Sequence, residues 1–259
     1  MKTLSERSAD ILVVLPTLGQ RMPFLARALE SVRAQSQEVH LVVVVPSTAI
    51  EARKLAESFG ATVVDDPGRG MAAAINAGLR ASTGQRYYMW LGDDDAYMAG
   101  GLAELSSLLD DSPRTVVAYG GCQYVNEDGE VVWVSRAGRL ARWILPFGPN
   151  LIPHPAAMIR LDALQAVGGY REDLSMAMDL DVFLTLRKKG EFRSSKKLVS
   201  SFGWHRASLT VANRNASASE ARQVKRSHLP PWIRGIEPLW EYPVQWLSRI
   251  AARSISRRG

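Results

Sequence analysis

The sequence predicts an α/β protein built on a mainly parallel sheet with helices on both faces. Three observations predict it. Short apolar runs alternate with helix-period segments through residues 11–96, the pattern of βαβ units. The fourth run, Tyr87 to Leu91, stops against three consecutive carboxylates, Asp93, Asp94 and Asp95, and ligand sites in open α/β sheets lie at the carboxyl ends of strands. The 259 residues are 46% hydrophobic and 22% charged, enough to bury one large core or two intimate halves.

Ile11 to Leu15 reads as the first strand, ending at Pro16-Thr17. Pro23 opens a helix through Ala34, with Leu25, Ala28, Leu29 and Val32 on one face. Val39 to Val45 is the second strand. Thr48-Ala49-Ile50-Glu51 reads as a capping box for a helix that ends before Gly60. Ala61 to Val64 is the third strand, the Asp65 to Gly70 stretch a turn, and Met71 to Ser82 a helix leading to the fourth strand, Arg86 to Leu91. Beyond the acidic triplet the pattern changes. Val116 to Tyr124 and Val131 to Val134 flank Asn126-Glu127-Asp128-Gly129, a hairpin signal. Ala156 to Ile159 reads as a strand, Asp162 to Val167 as a short helix closed by Gly168-Gly169, and Leu180 to Lys189 as a helix.

No apolar run reaches the roughly 18–20 residues that span a bilayer, and the N-terminal decapeptide has no apolar signal region. The single cysteine, Cys122, excludes an internal disulfide and a cysteine metal cage. These features fit a protein of the reducing cytoplasm. The net charge is +6, with the excess late in the chain, yet no nucleic-acid motif accompanies it. The first strand is not followed by G-x-G-x-x-G, and no G-x-x-x-x-G-K-[ST] occurs, which argues against dehydrogenases and P-loop enzymes.

Adjacent carboxylates repel, so something positive must offset Asp93, Asp94 and Asp95. A hard divalent cation suits oxygen ligands, and Mg²⁺ or Mn²⁺ takes one or two carboxylates and fills its other positions with phosphate oxygens and water. The bland alternative is a solvated acidic loop.

Taken together, several segments resemble the inverting family 2 glycosyltransferases of the GT-A fold. Ile11 to Thr17 is similar to the family's first strand, and Leu29 to Ser36 to its "SvlaQt" helix. Gly70 to Gly78 is similar to the "G…A.N.G" segment under the nucleotide. Asp93-Asp94-Asp95 stands where the family has D-x-D. Tyr119-Gly120-Gly121 and Asn126 to Gly129 resemble "YGd…d..G", while His154 to Met158 with Gly168-Gly169-Tyr170 resembles "H.a…GGf". Met178-Asp179-Leu180-Asp181 resembles the "EDxDL" motif that carries the base.

The resemblance covers about residues 11 to 210 and implies a glycosyltransferase domain over 1–210. Within it, 11–96 is the nucleotide-sugar half and 97–210 the acceptor and catalytic half. Residues 211–259 then form a C-terminal helical tail. It implies transfer of a hexosyl or deoxyhexosyl group from a nucleotide diphosphate-sugar to a hydroxyl of a glycan or glycolipid, assisted by Mn²⁺ or Mg²⁺. Asp179 is the implied base; Asp181 is a second candidate or a helix cap. Asp94 stands first as metal ligand, Asp95 second, with His205 reaching from the C-terminal side. Asp93 lies nearer the nucleotide's sugar. Pro16, Thr17, Asp66, Arg69 and Asn76 are implied on the donor side, and His154 near the acceptor.

Three departures from the family pattern stand out. Val44-Val45-Pro46-Ser47 replaces an acidic "DdgS", Gly92 the first Asp of the metal motif, and Met178 the Glu before the base. They keep open a non-catalytic nucleotide-sugar or glycan binder of the same fold. A sugar-nucleotide nucleotidyltransferase is further off, since Leu18-Gly19-Gln20-Arg21 holds one glycine. In the tail, Trp246, Leu247 and Ile250 share a helical face among Arg249, Arg253, Arg257 and Arg258. That suits an anionic membrane surface at the inner face of the cell membrane. Its alternative is packing on the protein's own body or on a second subunit, giving a homodimer.

Overall fold

The computed structural model describes residues 9–204, 214–235 and 239. Four parallel strands open the sheet in the order β3 (Thr62–Asp65), β2 (Val39–Val45), β1 (Ile11–Pro16), β4 (Tyr87–Trp90). β1 is buried along its whole length, because both faces are covered. Leu12 and Val14 point into one hydrophobic cluster and Ile11, Val13 and Leu15 into the other. This is why the strand reads as a continuous apolar run rather than an alternation.

Helix α1 (Met22–Arg33) packs Leu25, Ala28, Leu29 and Val32 on one side of the sheet, joined by Ala52 and Ala56 of α2 (Ile50–Ser58). Helix α3 (Met71–Arg80) covers the other side with Ala72, Ile75 and Leu79. Its approach to β1 is close: a Cβ on Gly78 would stand 2.3 Å from Val14 Cγ1. The capping box expected at Thr48 is not formed. Ala49 is the N-cap, with no side-chain capping bond, because a turn that closes the Ile50 N–H onto the Thr48 carbonyl delays the helix by one residue.

The second half extends the same sheet. β4 pairs antiparallel with β8 (Ala157–Arg160), which pairs with β6 (Thr115–Val125). β6 then pairs in parallel with β9 (Glu191–Gly203), whose far edge holds the two-residue β5 (Ala96–Tyr97). β7 (Val131–Ser135) forms the expected hairpin with β6. Asn126 Oδ1 accepts from the Asp128 and Glu130 N–H groups at its turn. Both expected halves therefore share one nine-stranded sheet among the described residues.

The remaining helices are α4 (Gly101–Asp110), α5 (Ala141–Ile144), α6 (Leu161–Ala166), α7 (Met178–Leu186) and α8 (Arg214–His228), with a 3-10 turn at His154–Ala156. α7 starts two residues earlier than the sequence suggests, so Asp181 lies in its first turn and is not its cap. Among the described residues no helix is long and apolar enough to cross a membrane. Cys122 is buried and free, and burial pushes its thiol up to about 12, which keeps it an inert small hydrophobe. The tail face around Trp246 lies outside the described residues.

Candidate active site

A cavity of about 390 Å³ opens at the carboxyl ends of β1 and β4. Pro16, Arg21, Asp93 and Asp94 line it at the strand ends, and Asn150, His154 and Asp179 also line it. The topology explains the meeting: β1 delivers Pro16 and Thr17, β4 delivers the acidic triplet, and α7 begins beside them.

The positive partner the triplet requires is in the chain itself. Arg21 Nη2 donates to Asp93 Oδ1 at 2.7 Å and Arg21 Nη1 to Asp94 Oδ2 at 3.0 Å. Burial disfavours the Arg21 cation, but the charges of Asp93 and Asp94 outweigh it and the pKa is raised. The hydroxyl of buried Thr17 donates to Asp93 Oδ2 at 2.6 Å. Even so, burial leaves the Asp93 carboxyl above its ordinary pKa. A carboxylate pair at the mouth of a cavity, with oxygen donors only, suits a hard divalent cation with phosphate oxygens completing its shell. Asp93 and Asp94 fit that requirement. No group of three His, Cys, Asp or Glu side chains is disposed to hold a metal among the described residues, and His205 lies outside them.

Asp95 plays a different part. It is 2% exposed and accepts from the backbone N–H groups of Gly203 at 3.0 Å and Gly92 at 3.3 Å. Burial, aided by the charge of Asp94, pushes its carboxyl well up. It pins the end of β9 to the triplet and does not line the cavity. Gly92 makes this possible: a Cβ there would meet Asp95 Oδ2 at 2.7 Å and Asp94 Oδ1 at 3.1 Å.

Asp179 stands in the first turn of α7, where a carboxylate suits the helix dipole. Asn150 Nδ2 donates to its Oδ2 at 2.9 Å and the Leu180 N–H to its Oδ1 at 2.8 Å. Burial raises its pKa to about 6, and the charge of Glu220 adds to the rise. The loop leading to it is clamped by Glu220 of α8, which accepts from the N–H groups of Ser175 at 2.7 Å, Met176 at 2.5 Å and Ala177 at 3.0 Å. Asp181 faces elsewhere. Its Oδ1 is 2.8 Å from His228 Nε2 and 3.6 Å from Arg171 Nη1, beside a separate cavity of about 450 Å³.

His154 is buried at the cavity wall, its ring stacked on Trp90 at 4.6 Å and its Nε2 2.7 Å from the Tyr170 hydroxyl. Burial lowers its pKa to about 3, so it is neutral at physiological pH. Tyr124, Phe202 and Trp204 add an aromatic wall.

Four residues implied on the donor side lie apart from the cavity lining; Thr17 reaches it only through its bond to Asp93. Asn76 receives the Tyr170 N–H on its Oδ1 at 2.9 Å and donates to the Tyr170 carbonyl at 2.7 Å, tying α3 to the Gly168-Gly169 turn. Arg69 pairs with Glu172 at 2.7 Å on the surface. Asp66 accepts from the Gly68 N–H at 2.9 Å, closing its own turn. Conversely, Arg21, Asn150 and Glu220 carry no local sequence signal. Each acts on a residue at least 29 positions away.

The glycosyl transferase family 2 model matches residues 12–168, more than half of the 259 residues. The chain belongs to glycosyltransferase family 2. It is therefore a glycosyltransferase, and the fold is GT-A. The match ends before α7. Among solved structures, S. aureus TarS 1-349 in complex with UDP-GlcNAc shares 15% identity at a TM-score of 0.66, covering 85% of this chain and 65% of that one. The mannosyltransferase PcManGT from Pyrobaculum calidifontis, in complex with GDP-Man and Mn²⁺, shares 20% at 0.65, covering 95% and 75%. Against the fuller TarS structure the chain spans 42% of that protein's length. No curated protein sequence matches it.

Proposed function

We propose that this glycosyltransferase is an inverting enzyme that moves a hexosyl or deoxyhexosyl group from a nucleotide diphosphate-sugar to a hydroxyl of a glycan or lipid-linked acceptor. The observation that carries the reading is the single cavity shared by Asp179, with its pKa near 6, and the carboxylates of Asp93 and Asp94. The acceptor oxygen attacks the anomeric carbon as Asp179 takes its proton. The bond from that carbon to the diphosphate breaks on the opposite face, with inversion. A base with a pKa near 6 is deprotonated at neutral pH and close enough to it to accept a proton well.

Asn150 holds the Asp179 carboxylate toward the cavity. Pro16 frames the nucleotide at the end of β1, Thr17 holds Asp93 from behind, and Asp93 faces the nucleotide's sugar. Asp94 with Asp93 would hold a divalent cation, which when bound supplies positive charge to the departing diphosphate. His154, neutral and next to the acceptor side, orients the acceptor through the wall it forms with Trp90. Asp181 anchors α8 through His228 and takes no part in proton transfer.

A second reading, a nucleotide-sugar or glycan binder without turnover, is favoured by one observation: Arg21 already neutralises Asp93 and Asp94. One experiment separates the two. A panel of nucleotide-sugars is screened with and without Mn²⁺ by thermal shift, and the best donor is then followed for transfer and for the anomeric configuration of the product. Retention of configuration ends the inverting reading. Donor binding without any turnover on offered acceptors supports the binder.

A further inference from the structure

The connection between β7 and the 3-10 turn presents a surface that the transfer reaction does not use. Leu140 is 69% and Trp143 58% exposed, at and beside the start of α5. Arg136, Arg139 and Arg142 stand in the same connection, and no acidic residue occurs between Glu130 and Asp162. Arg187, which follows α7, joins them: its guanidinium lies 5.7 Å from the Trp143 ring and that of Arg142 4.8 Å. Among the described residues none of these four arginines has an ion-pair partner. The buried Nε atoms of Arg142 and Arg187 have no hydrogen-bond acceptor. Burial and the charge of Arg142 together lower the pKa of Arg187.

Nothing in the fold requires two like charges to converge on an exposed tryptophan. A guanidinium offers five donors in a fork that matches phosphate oxygens, and here the Nε donor of each of the two is left without an acceptor. Exposed Trp and Leu framed by Arg is the composition that suits a headgroup boundary, with the rings at the acyl edge and the cations among phosphates. A soluble polyanion would satisfy the charges but leave Leu140 and Trp143 in water. An anionic bilayer satisfies both.

We propose that Leu140 and Trp143, with the guanidinium groups of Arg139, Arg142 and Arg187, form a docking face for an anionic lipid bilayer. The face stands on its own observations, whatever the transfer chemistry. Its position also bears on that chemistry. Arg187 follows Asp179 by eight residues along α7, about 12 Å at 1.5 Å per residue. A bilayer seated on the face is thus about one short helix from the base, within reach of an acceptor carried on lipid. That last link alone rests on the proposed function.

The test is sedimentation of the full chain, without donor, with phosphatidylcholine vesicles that contain or lack phosphatidylglycerol. Binding is expected only with the anionic lipid, and is expected to weaken as salt shortens the Debye length. Arg142→Gln with Arg187→Gln should lower the affinity about 25-fold, taking about fivefold per basic residue. Trp143→Ala should also weaken binding to vesicles, while leaving binding to heparin unchanged. Each variant is checked by its thermal unfolding midpoint. Should the double variant not fold, exposed Arg139→Glu carries the same test. The proposal is overturned if the full chain ignores anionic vesicles at low salt, or if the arginine variants bind them as tightly as the natural chain. It is also overturned if Trp143→Ala changes nothing while heparin and vesicles lose affinity in parallel, which marks a polyanion site instead.

Discussion

Asp179 and Asp181 stand two residues apart on α7 and face different cavities. Successive helical residues turn by about 100°, so the two carboxylates point to nearly opposite sides. The first is held by Asn150 over the site shared with Asp93 and Asp94; the second is committed to His228 and Arg171. Asp179→Asn should therefore bind donor normally and lose transfer by roughly 10²–10⁴-fold, the scale of general-base catalysis. Asp181→Asn should keep its turnover per folded molecule and lose about 1–3 kcal/mol of stability, as a buried charged partner goes missing. Turnover at saturating donor and the unfolding midpoint check both. A dead Asp181→Asn with an unchanged midpoint would invert the assignment.

The pH dependence follows from the same carboxyl. Asp179 titrates near 6 in the folded protein against an ordinary value of 3.8. The folded state holds the proton more tightly than the unfolded state. Stability from this group is thus fully present below about pH 4, declines as the pH rises through 6, and stays lost above it. A rise from 3.8 to about 6 corresponds to about 3 kcal/mol. Asp179→Asn should flatten the decline between pH 4 and 6 and be more stable than the natural chain at pH 7 by up to about 3 kcal/mol. Denaturant melts at a series of pH values show it. The transfer rate of the natural enzyme should fall on the acid side with a midpoint near 6.

Glu220 reaches back from α8 to take three consecutive backbone N–H groups, those of Ser175, Met176 and Ala177. Glu220→Ala leaves all three without acceptors next to Asp179. Hydrogen bonds to a charged group contribute about 1.5–3 kcal/mol, so the variant should unfold earlier. Its kcat should fall more than its donor KM rises, because the disturbed loop positions Asp179 and not the nucleotide. Glu220→Gln should move the acid limb of the rate profile to lower pH, since one source of the raised Asp179 pKa is removed. An unmoved limb with normal kcat would leave Glu220 a surface tie only.

Arg21 and a divalent cation compete for the same charge. Arg21→Gln leaves Asp93 and Asp94 facing each other without their bridge. In EDTA this variant should melt below the natural protein, and Mn²⁺ should restore more of its midpoint than it adds to the natural chain. A ligand at 100 times its Kd adds about 2.7 kcal/mol, well within the reach of a thermal scan. If Mn²⁺ shifts neither protein, with or without nucleotide diphosphate, the carboxylate pair holds no metal.

The parts of the molecule that were readable in the sequence are those whose reasons are local. β1, β2 and β4 are covered on both faces, so their apolar runs are unbroken. Asn126 makes its own hairpin turn. β9 hides because Arg193, Ser194, Ser195, Lys196 and Lys197 interrupt its apolar content; it is a strand because β6 pairs along it. α8 falls within the stretch expected to be helical, but its few buried apolar residues, Val224 with Leu229 just beyond its end, do not announce that Glu220 reaches the loop before α7. In the site, the carboxylates announce themselves by charge, whereas their partners do not. Thr17 meets Asp93 across 76 residues and Glu220 meets Met176 across 44. Only the folded sheet and the helices packed on it bring those pairs together.

Gly92 stands where the family motif begins with an aspartate, and restoring that residue tests whether the triplet is spaced for its own charges. A Cβ at this position would lie 2.7 Å from Asp95 Oδ2 and 3.1 Å from Asp94 Oδ1. Any side chain must push the triplet aside, and a carboxylate adds a further like charge beside a buried one. Overpacking of this kind costs about 1–3 kcal/mol. Gly92→Asp should therefore lower the melting midpoint and weaken nucleotide diphosphate binding in Mn²⁺, not strengthen it. Gly78→Ala is the control for packing alone. Its Cβ would crowd Val14 at 2.3 Å beneath the sheet, so it should lose stability while the surviving folded protein binds the nucleotide normally. If Gly92→Asp instead binds more tightly at an unchanged midpoint, the backbone at 92 has room that the close contacts with Asp94 and Asp95 deny, and the glycine is not there for them.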